Sequence, residues 1–180
     1  AGAIEVRGPA VAALPPGTIV SAVGFARAGE FSPVLEDAVL RPAGRGPAPV
    51  PIDATPSELL QGHHDGGLVR IRGRVIERFS TAAEDILLLQ AGETAFSAHL
   101  AHRDGAAPLD VAAGSTVDVT GVSSLLLQRV AGATSPRGVR LLLASPDAIA
   151  VVTRAQWLTL QRASWLVGGL AAAVAFAVVW

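Results

Sequence analysis

Apolar and polar residues alternate over residues 68–79, "LVRIRGRVIERF", and this two-residue period predicts a β-strand with one buried face. The apolar residues that share the first face are Val69, Ile71 and Val75. The opposite face consists of arginines, namely Arg70, Arg72 and Arg74. Gly73 interrupts the apolar face, and it therefore predicts either a β-bulge or a close approach of another chain segment.

Four more stretches with the composition of strands follow, at residues 85–90, 94–100, 115–128 and 138–145. The tripeptide Ala91-Gly92-Glu93 predicts a short hairpin loop between the first two, and the turn-rich residues 131–138 divide the last two. A long amphipathic helix pattern does not occur among them. Closure into a small Greek-key barrel pairs the edge strands, which would otherwise expose unpaired N–H and C=O groups. These antiparallel strands are therefore expected to form such a barrel.

One phrase of the sequence is written twice, as "LPPGTIVSAVGFA" (residues 14–26) and as "VAAGSTVDVTGVS" (residues 111–123). The glycines match at the same offset in both phrases, Gly17 with Gly114 and Gly24 with Gly121. The second phrase supplies the fourth strand of the predicted barrel. The first phrase therefore predicts a fourth strand of another, similar unit.

The flanking residues extend this match. Residues 3–7 correspond to the third strand at 94–100, and residues 32–44 correspond to 135–147, with a Ser-Pro at the start of both. The earlier unit is thus expected to contain strands three to five and to lack strands one and two. Together with the absence of Met, this indicates a chain that begins inside a domain.

A short helix is predicted in the linker between the units. Thr55 and Glu58 have the spacing of a capping box, Pro56 occupies the first helical position, and Gly62 is a natural end for a helix over residues 56–61. The predicted organisation is a partial unit at 1–50, a linker at 51–66 and a complete unit at 67–152.

The C-terminal residues 163–180, "ASWLVGGLAAAVAFAVVW", contain no charged residue. As a helix they would extend about 27 Å, close to the thickness of the hydrocarbon core of a bilayer. Trp157, Arg162 and Trp165 have the character of membrane-interface residues. We therefore expect a transmembrane helix at 163–180 and a helical stalk at 153–162, while "AIAVV" at 148–152 predicts either the start of that helix or a further strand on the barrel.

The composition argues against several classes of function. The net charge is −1, aromatic residues make up 4% of the chain, and the basic residues are all arginine, so a nucleic-acid partner is not expected. The chain has no cysteine, which excludes disulfides and thiolate chemistry. A nucleophile elbow, a phosphate-binding loop and a dinucleotide fingerprint are missing from the sequence, so we predict no catalytic residues and no cofactor.

Two groups of residues are candidate binding sites. The stripe of Arg70, Arg72 and Arg74 could bind an anion such as a phosphate, a carboxylated sugar or a nucleotide. Alternatively, cross-strand partners such as Asp118 on the fourth strand neutralise part of it. His63-His64-Asp65 could bind a metal together with His99 or His102, but the spacing fits no common zinc site, and we interpret these residues as a solvated loop and surface histidines, with no metal.

The order of a glycine-kinked first strand, a hairpin, a fourth strand "G-x-x-V-x-V-x-G" and a fifth strand resembles the OB-fold. We therefore predict a mainly β protein with two tandem OB-like small Greek-key barrels, the first truncated, followed by a C-terminal transmembrane helix. The "ELLQG…D…LVRIRGRV" joint, the closing "RLLLASPDAIAVV" and the Trp-bearing helix resemble the extracytoplasmic sensor region of bacterial membrane sensor histidine kinases; related receptors carry diguanylate cyclase outputs.

This resemblance implies a periplasmic sensor of a two-component system in the cell inner membrane, with residues 1–162 on the extracytoplasmic side. Its implied partners are the membrane and a small ligand or a periplasmic protein, and dimerisation is expected by analogy. The sequence also permits a membrane-anchored spacer that binds other proteins without a signalling output. The kinase motifs would lie in domains outside these residues.

Overall fold

The computed structural model describes residues 3–8, 14–29, 33–102, 109–130 and 133–155, with only the backbone of residues 129, 130, 133 and 134. The strands in this part of the chain are β1 (Glu5–Val6), β2 (Thr18–Arg27), β3 (Val34–Arg45), β4 (Ile52–Asp53), β5 (Leu68–Ser80), β6 (Glu84–Ala91), β7 (Thr94–Ala101), β8 (Thr116–Val130), β9 (Ala133–Leu143) and β10 (Ile149–Thr153). They are accompanied by helix α1 (Pro56–Leu60) and a 3₁₀ turn at Pro146–Ala148. The predicted mainly β class is confirmed.

Five of these strands form a closed barrel. β5 pairs antiparallel with β6, and β6 with β7. β7 then runs parallel to β9, β9 is antiparallel to β8, and β8 closes the ring by pairing antiparallel with β5. A parallel pairing of the third strand with the fifth, and closure of the first strand on the fourth, make this an OB-like Greek-key barrel, as the sequence predicts.

The core lies inside this barrel and consists of inward-facing apolar residues of each strand, together with Leu59 of α1 and Leu109 of the segment before β8. Its members are Leu59, Val69, Ile71, Val75, Leu87, Leu89, Phe96, Ala98, Leu100, Leu109, Val117, Val119, Val139, Leu141 and Leu143. The predicted alternation of β5 is confirmed, since Arg70, Arg72 and Arg74 are exposed and Val69, Ile71 and Val75 are buried. A Cβ atom at Gly73 would lie 3.0 Å from Cε1 of Phe96, so this glycine marks a close approach, and the bulge falls later, between Val75 and Glu77.

The hairpin of β8 and β9 is longer than predicted. Residues 133–138, which have the composition of a turn, belong to β9, and Pro136 lies opposite Leu127. The prediction of a turn over the whole of 131–138 is therefore wrong for most of that segment. Pairing with β8 outweighs the local preference, and Pro136 lies where the register shifts, which is a position that accommodates a residue without an N–H group.

Helix α1 has the predicted capping box. The hydroxyl of Thr55 accepts a hydrogen bond from the backbone N–H of Glu58, and the Glu58 carboxylate accepts one from the backbone N–H of Thr55, 2.8 Å away. This carboxylate lies next to N–H donors, so its pKa is lowered, chiefly by the backbone hydrogen bond from Thr55. Gly62 follows the helix with φ +87° and donates its N–H to the carbonyl of Leu59.

Replacement of Thr55 by Ala is expected to lower the free energy of unfolding by about 1 kcal/mol, because the first turn of α1 loses a side-chain acceptor. Chemical denaturation measures the change. Thr55→Ser keeps the hydroxyl and serves as the control, with less than half of the loss. Equal losses for the two variants would contradict a capping role of the hydroxyl.

The strands before the linker form a separate sheet in which β1 runs parallel to β3 and β2 antiparallel to it. The same pairing relates β7, β9 and β8 in the barrel. The predicted match of the Ser-Pro pairs is wrong, however. Phe25 lies opposite Glu36, as Val122 lies opposite Leu142, and this places Pro33 level with Val139 and not with Pro136. The division into a partial and a complete domain stays a prediction.

β10 settles the two alternatives for residues 148–152 in favour of a strand. It pairs antiparallel with β8, and Thr153 is its last residue, so the predicted helical stalk at 153–162 is wrong at its start. Residues 156–162 of that stalk lie outside the described residues. In the described part of the chain, no helix has the length and apolar character needed to cross a bilayer. The predicted transmembrane segment at 163–180, together with Trp157, Arg162 and Trp165, lies outside the described residues.

Candidate functional site

The predicted arginine stripe lies along the outer face of β5, where each arginine has a different environment. Arg72 pairs across the barrel seam with Asp118 of β8: Nε lies 2.7 Å from Oδ1 and Nη2 lies 2.8 Å from Oδ2. This bidentate contact raises the pKa of Arg72 and lowers the pKa of Asp118, in both cases chiefly through the hydrogen bond between the two side chains. Arg72 is therefore already neutralised.

Its two neighbours are less constrained. Nη1 of Arg70 lies 3.8 Å from Oδ1 of Asp53 on β4, a loose contact between exposed groups. Arg74 lies beside the turn at Gly114, and it forms no ion pair within the described ranges of the chain. In the stripe, Arg72 thus forms a bidentate ion pair and Arg70 a weak one. Arg74 forms none with the described residues, so it is the member that is best placed to bind an anion.

The contribution of Asp118 to stability is expected to depend on pH. Its folded pKa is lowered, so the stabilisation is present above the ordinary pKa of an aspartate, about 3.9, and disappears as the pH falls through the lower folded value. Asp118→Asn should therefore lower the urea midpoint at pH 7 and leave it almost unchanged near pH 2. Glu93→Gln in the exposed β6–β7 loop is the control, and an Asp118→Asn effect of equal size at both pH values would contradict the account.

The histidines near the end of β7 pair with carboxylates of β6. Nδ1 of His99 lies 3.1 Å from Oε2 of Glu84, and its Nε2 lies 3.1 Å from the hydroxyl of Ser97. Nε2 of His102 lies 3.4 Å from Oδ2 of Asp85, a buried carboxylate whose pKa is lowered, first by a hydrogen bond from the hydroxyl of Ser80 and then by His102. The interpretation of His99 as a surface histidine is wrong, because it lies within β7 and is mostly buried.

His63, His64 and Asp65 lie in the turn after α1, and this turn is attached to the barrel. The hydroxyl of Ser123 donates to the backbone carbonyl of His64, and Oδ1 of Asp65 accepts the backbone N–H of Leu125 at 3.1 Å. The segment therefore connects the linker with β8, whereas the sequence indicated only a solvated loop. Among the described residues, no group of three or more His, Asp or Glu side chains is arranged to hold a metal ion.

The sheet of β2 and β3 carries an exposed apolar groove that was not predicted from the sequence. The groove has a volume of about 560 Å³, and its lining residues are Ser21, Val23, Gly24, Phe25, Asp37, Val39 and Arg41. Val23 and Phe25 are each 73% exposed. The signal in the sequence was that β2 is apolar on both faces, which a strand with one solvated face does not require.

A second groove, of about 280 Å³, lies where the chain leaves the barrel. It is formed by residues before β8 and after β10, including Asp110, Ser115, Arg154 and Ala155. The backbone N–H of Ala155 donates to the hydroxyl of Ser115 at 3.2 Å, so the end of the described chain is held against the start of β8. The second groove lies close to the arginine stripe, since Thr116 of β8 pairs with Arg74 of β5 on one side and with Thr153 of β10 on the other.

No protein-family profile matches the chain, and no curated protein matches it. Among solved structures, it is similar to an aspartyl tRNA synthetase from Entamoeba histolytica, with 22% identity over 60% of this chain and 22% of the synthetase, and a TM-score of 0.47.

It is also similar to an OBody, AM3L09, bound to hen egg-white lysozyme, with 16% identity over 59% of this chain and 100% of the OBody, and a TM-score of 0.42. A murine DNA binding protein bound with double-stranded DNA matches at 9% identity over 78% of this chain and 72% of that protein, with a TM-score of 0.40. The chain thus spans only 22% of the length of the synthetase. At these identities the similarity concerns the fold alone, and the description as OB-like rests on the strand pairing of β5 to β9.

Proposed function

We propose that this chain is the extracytoplasmic sensory region of a bacterial membrane signalling receptor, specifically a two-component sensor histidine kinase. The observation that carries the proposal is the attachment of β10 to the barrel. β10 is hydrogen-bonded to β8 as far as Thr153, and Ala155 is held by Ser115, while the uncharged membrane-like stretch begins at Ala163. A short segment of the sequence therefore connects the folded barrel with the residues that are expected to enter the bilayer.

The sheet register gives this arrangement a route for a signal. Asp118 of β8 lies opposite Arg72 of β5 on one side and opposite Ala150 of β10 on the other. A ligand or partner that engages the arginines of β5 would compete with Asp118 for Arg72 and so displace β8 relative to β10. Because the stretch that is expected to enter the bilayer follows soon after β10 in the sequence, the displacement would reach it as a rotation or a piston motion.

The membrane topology is tested with reporter fusions after Ala155, which keep β10 intact. A reporter that is active only outside the cytoplasm is expected to give a signal in bacteria that carry the native chain upstream of the fusion point. A cytoplasm-specific reporter at the same place is expected to stay silent. The opposite pattern would contradict an extracytoplasmic barrel.

Coupling through the segment after β10 is tested by insertion of three glycines between Arg154 and Trp157 in the full receptor. The barrel core lies entirely before this point, so its melting temperature is expected to stay the same. A flexible linker absorbs motion, so any ligand-dependent output is expected to disappear. The same glycines inserted after Gly92, in the exposed β6–β7 loop, are the control and should leave the output intact.

A receptor that responds normally with glycines after Arg154 would show that this segment is only a tether. A protein that lacks any signalling domain would support the alternative of an anchored spacer. A receptor with cyclase activity would keep the sensory role and change the class of output from kinase to diguanylate cyclase.

A further inference from the structure

The repeated phrase of the sequence adopts the same local structure in both places. Gly17 and Gly114 both have a left-handed backbone, with φ +85° and φ +86°, and each lies in the turn that leads into a strand. The other two glycines occupy equivalent close approaches: a Cβ atom on Gly24 would lie 2.7 Å from the carbonyl oxygen of Glu36, and one on Gly121 would lie 2.9 Å from that of Leu142. β2 is therefore the structural counterpart of β8.

The equivalence extends to the partners of both strands. β3 pairs with β2 as β9 and β10 together pair with β8: Phe25 faces Glu36 as Val122 faces Leu142, and Ala22 faces Leu40 as Val119 faces Ile149. The register shift repeats as well. On β2 it falls between Ile19 and Val20, and on β8 it falls between their counterparts Thr116 and Val117, which pair with Thr153 and Val151 of β10. β3 therefore corresponds to β9 and β10 together, which in the barrel are separated by the 3₁₀ turn at Pro146–Ala148.

One partner of β8 has no counterpart in the described residues. β5 covers the other edge of β8 from Thr116 to Val122, and the matching edge of β2, residues 19–25, pairs with no strand in the parts of the chain that the structure describes. Burial follows the pairing. Val117 is 0% exposed under β5, whereas Val20 at the equivalent position of β2 is 39% exposed.

We propose that this edge of β2 binds a β-strand, antiparallel and in the register of β5 on β8, and that the strand belongs to the same polypeptide immediately before Ala1. The order of the barrel strands points to this source. β1 is parallel to β3 as β7 is to β9, and β7 is preceded directly by the β5–β6 hairpin. Only a hairpin that leads into β1 places its first strand on β2 with the same short connections.

The chemistry of the missing strand follows from the residues that it will face. On the outer face of β8, Asp118 binds an arginine of β5, but Ser21 takes the place of this carboxylate on β2. The neighbours of Ser21 on that face are exposed apolar residues, Ile19, Val23 and Phe25. The strand that binds β2 therefore has apolar or small residues on its outer face, where β5 has arginines, and apolar residues on the inner face as well.

Hydrogen exchange of the backbone amides tests the proposal. The 180-residue chain is compared with the protein that is extended N-terminally by the residues preceding Ala1 in its gene. Amides of residues 19–25 are expected to exchange at least ten-fold more slowly in the extended protein, at any protein concentration. Equal exchange in the two proteins would overturn the proposal, and so would protection in the 180-residue chain that rises with concentration, which would identify a second copy as the occupant.

Two variants of the extended protein sharpen the test. Ala22→Arg places a charge on the inner face of β2, at the position of the buried Val119, and is expected to abolish the additional protection. Ser21→Arg places the same charge on the outer face and is the matched control, which should keep the protection. Exchange in β5 to β9 is expected to stay unchanged in both variants, which shows that the barrel remains folded. Loss of protection in both variants, or in neither, would contradict the proposed register.

Discussion

Replacement of Leu59 by Ala is expected to lower the free energy of unfolding of the barrel by about 2–5 kcal/mol, as large-to-small changes do at fully buried positions. Leu59 is 0% exposed although it belongs to a helix of only five residues. Helix α1 contacts β7, β8 and β9, so Leu59 closes one end of the barrel core. Urea denaturation followed by circular dichroism measures the loss.

Leu142→Ala is the matched control for this measurement, because Leu142 has the same side chain but points outward from β9 and is 47% exposed. Its substitution is expected to cost less than about 1 kcal/mol. Similar losses for both variants would mean that α1 is not part of the core. A loss at Leu59 below that at Leu142 would contradict the described packing outright.

Replacement of Gly121 by Ala is expected to destabilise the protein by about 1–3 kcal/mol, since it forces an additional methyl group into a packed site. The new Cβ atom would lie 2.9 Å from the carbonyl oxygen of Leu142 and 3.0 Å from Cδ2 of Leu143. The first of these atoms belongs to the backbone of β9, which cannot move without disturbing its pairing with β8. A thermal or chemical unfolding curve gives the change.

Gly138→Ala on β9 separates this crowding from the general effect of replacing a glycine in a strand. A Cβ atom there would meet only Cδ1 of Leu126, at an ordinary distance of 3.8 Å. The variant is expected to be neutral or slightly stabilising, because alanine loses less backbone entropy on folding. A Gly121→Ala variant as stable as Gly138→Ala would contradict the close approach of β8 and β9.

The features of the barrel that could be predicted from the sequence are those with a local pattern. The alternation in β5, the hairpin of β6 and β7 and the capping box of α1 are local patterns whose physical cause acts within a few residues, and the structure confirms them. The pairing of Arg72 with Asp118 was also accessible, because the OB-like strand order brings the first and fourth strands together. These features follow from local sequence patterns and from the order of the strands alone.

Other features depend on contacts that no local pattern records. Residues 133–138 form a strand because β8 continues beside them, although their composition is that of a turn. His99 is mostly buried although it alternates with the core residues Ala98 and Leu100, because Glu84 of the neighbouring strand and Ser97 lie against its ring. The groove at Val23 and Phe25 went unrecognised because exposure of an apolar residue is a property of the whole sheet and not of the residue.

The activity of the full polypeptide tests whether the barrel is the sensory part of a membrane signalling receptor, as proposed. Membrane vesicles that contain the complete gene product are supplied with labelled ATP and, separately, with GTP. The account predicts ATP-dependent phosphorylation of a histidine in a domain encoded after Trp180; synthesis of cyclic diguanylate in its place would still identify a receptor. A gene product that ends within a few residues of Trp180 and shows neither activity would contradict the account.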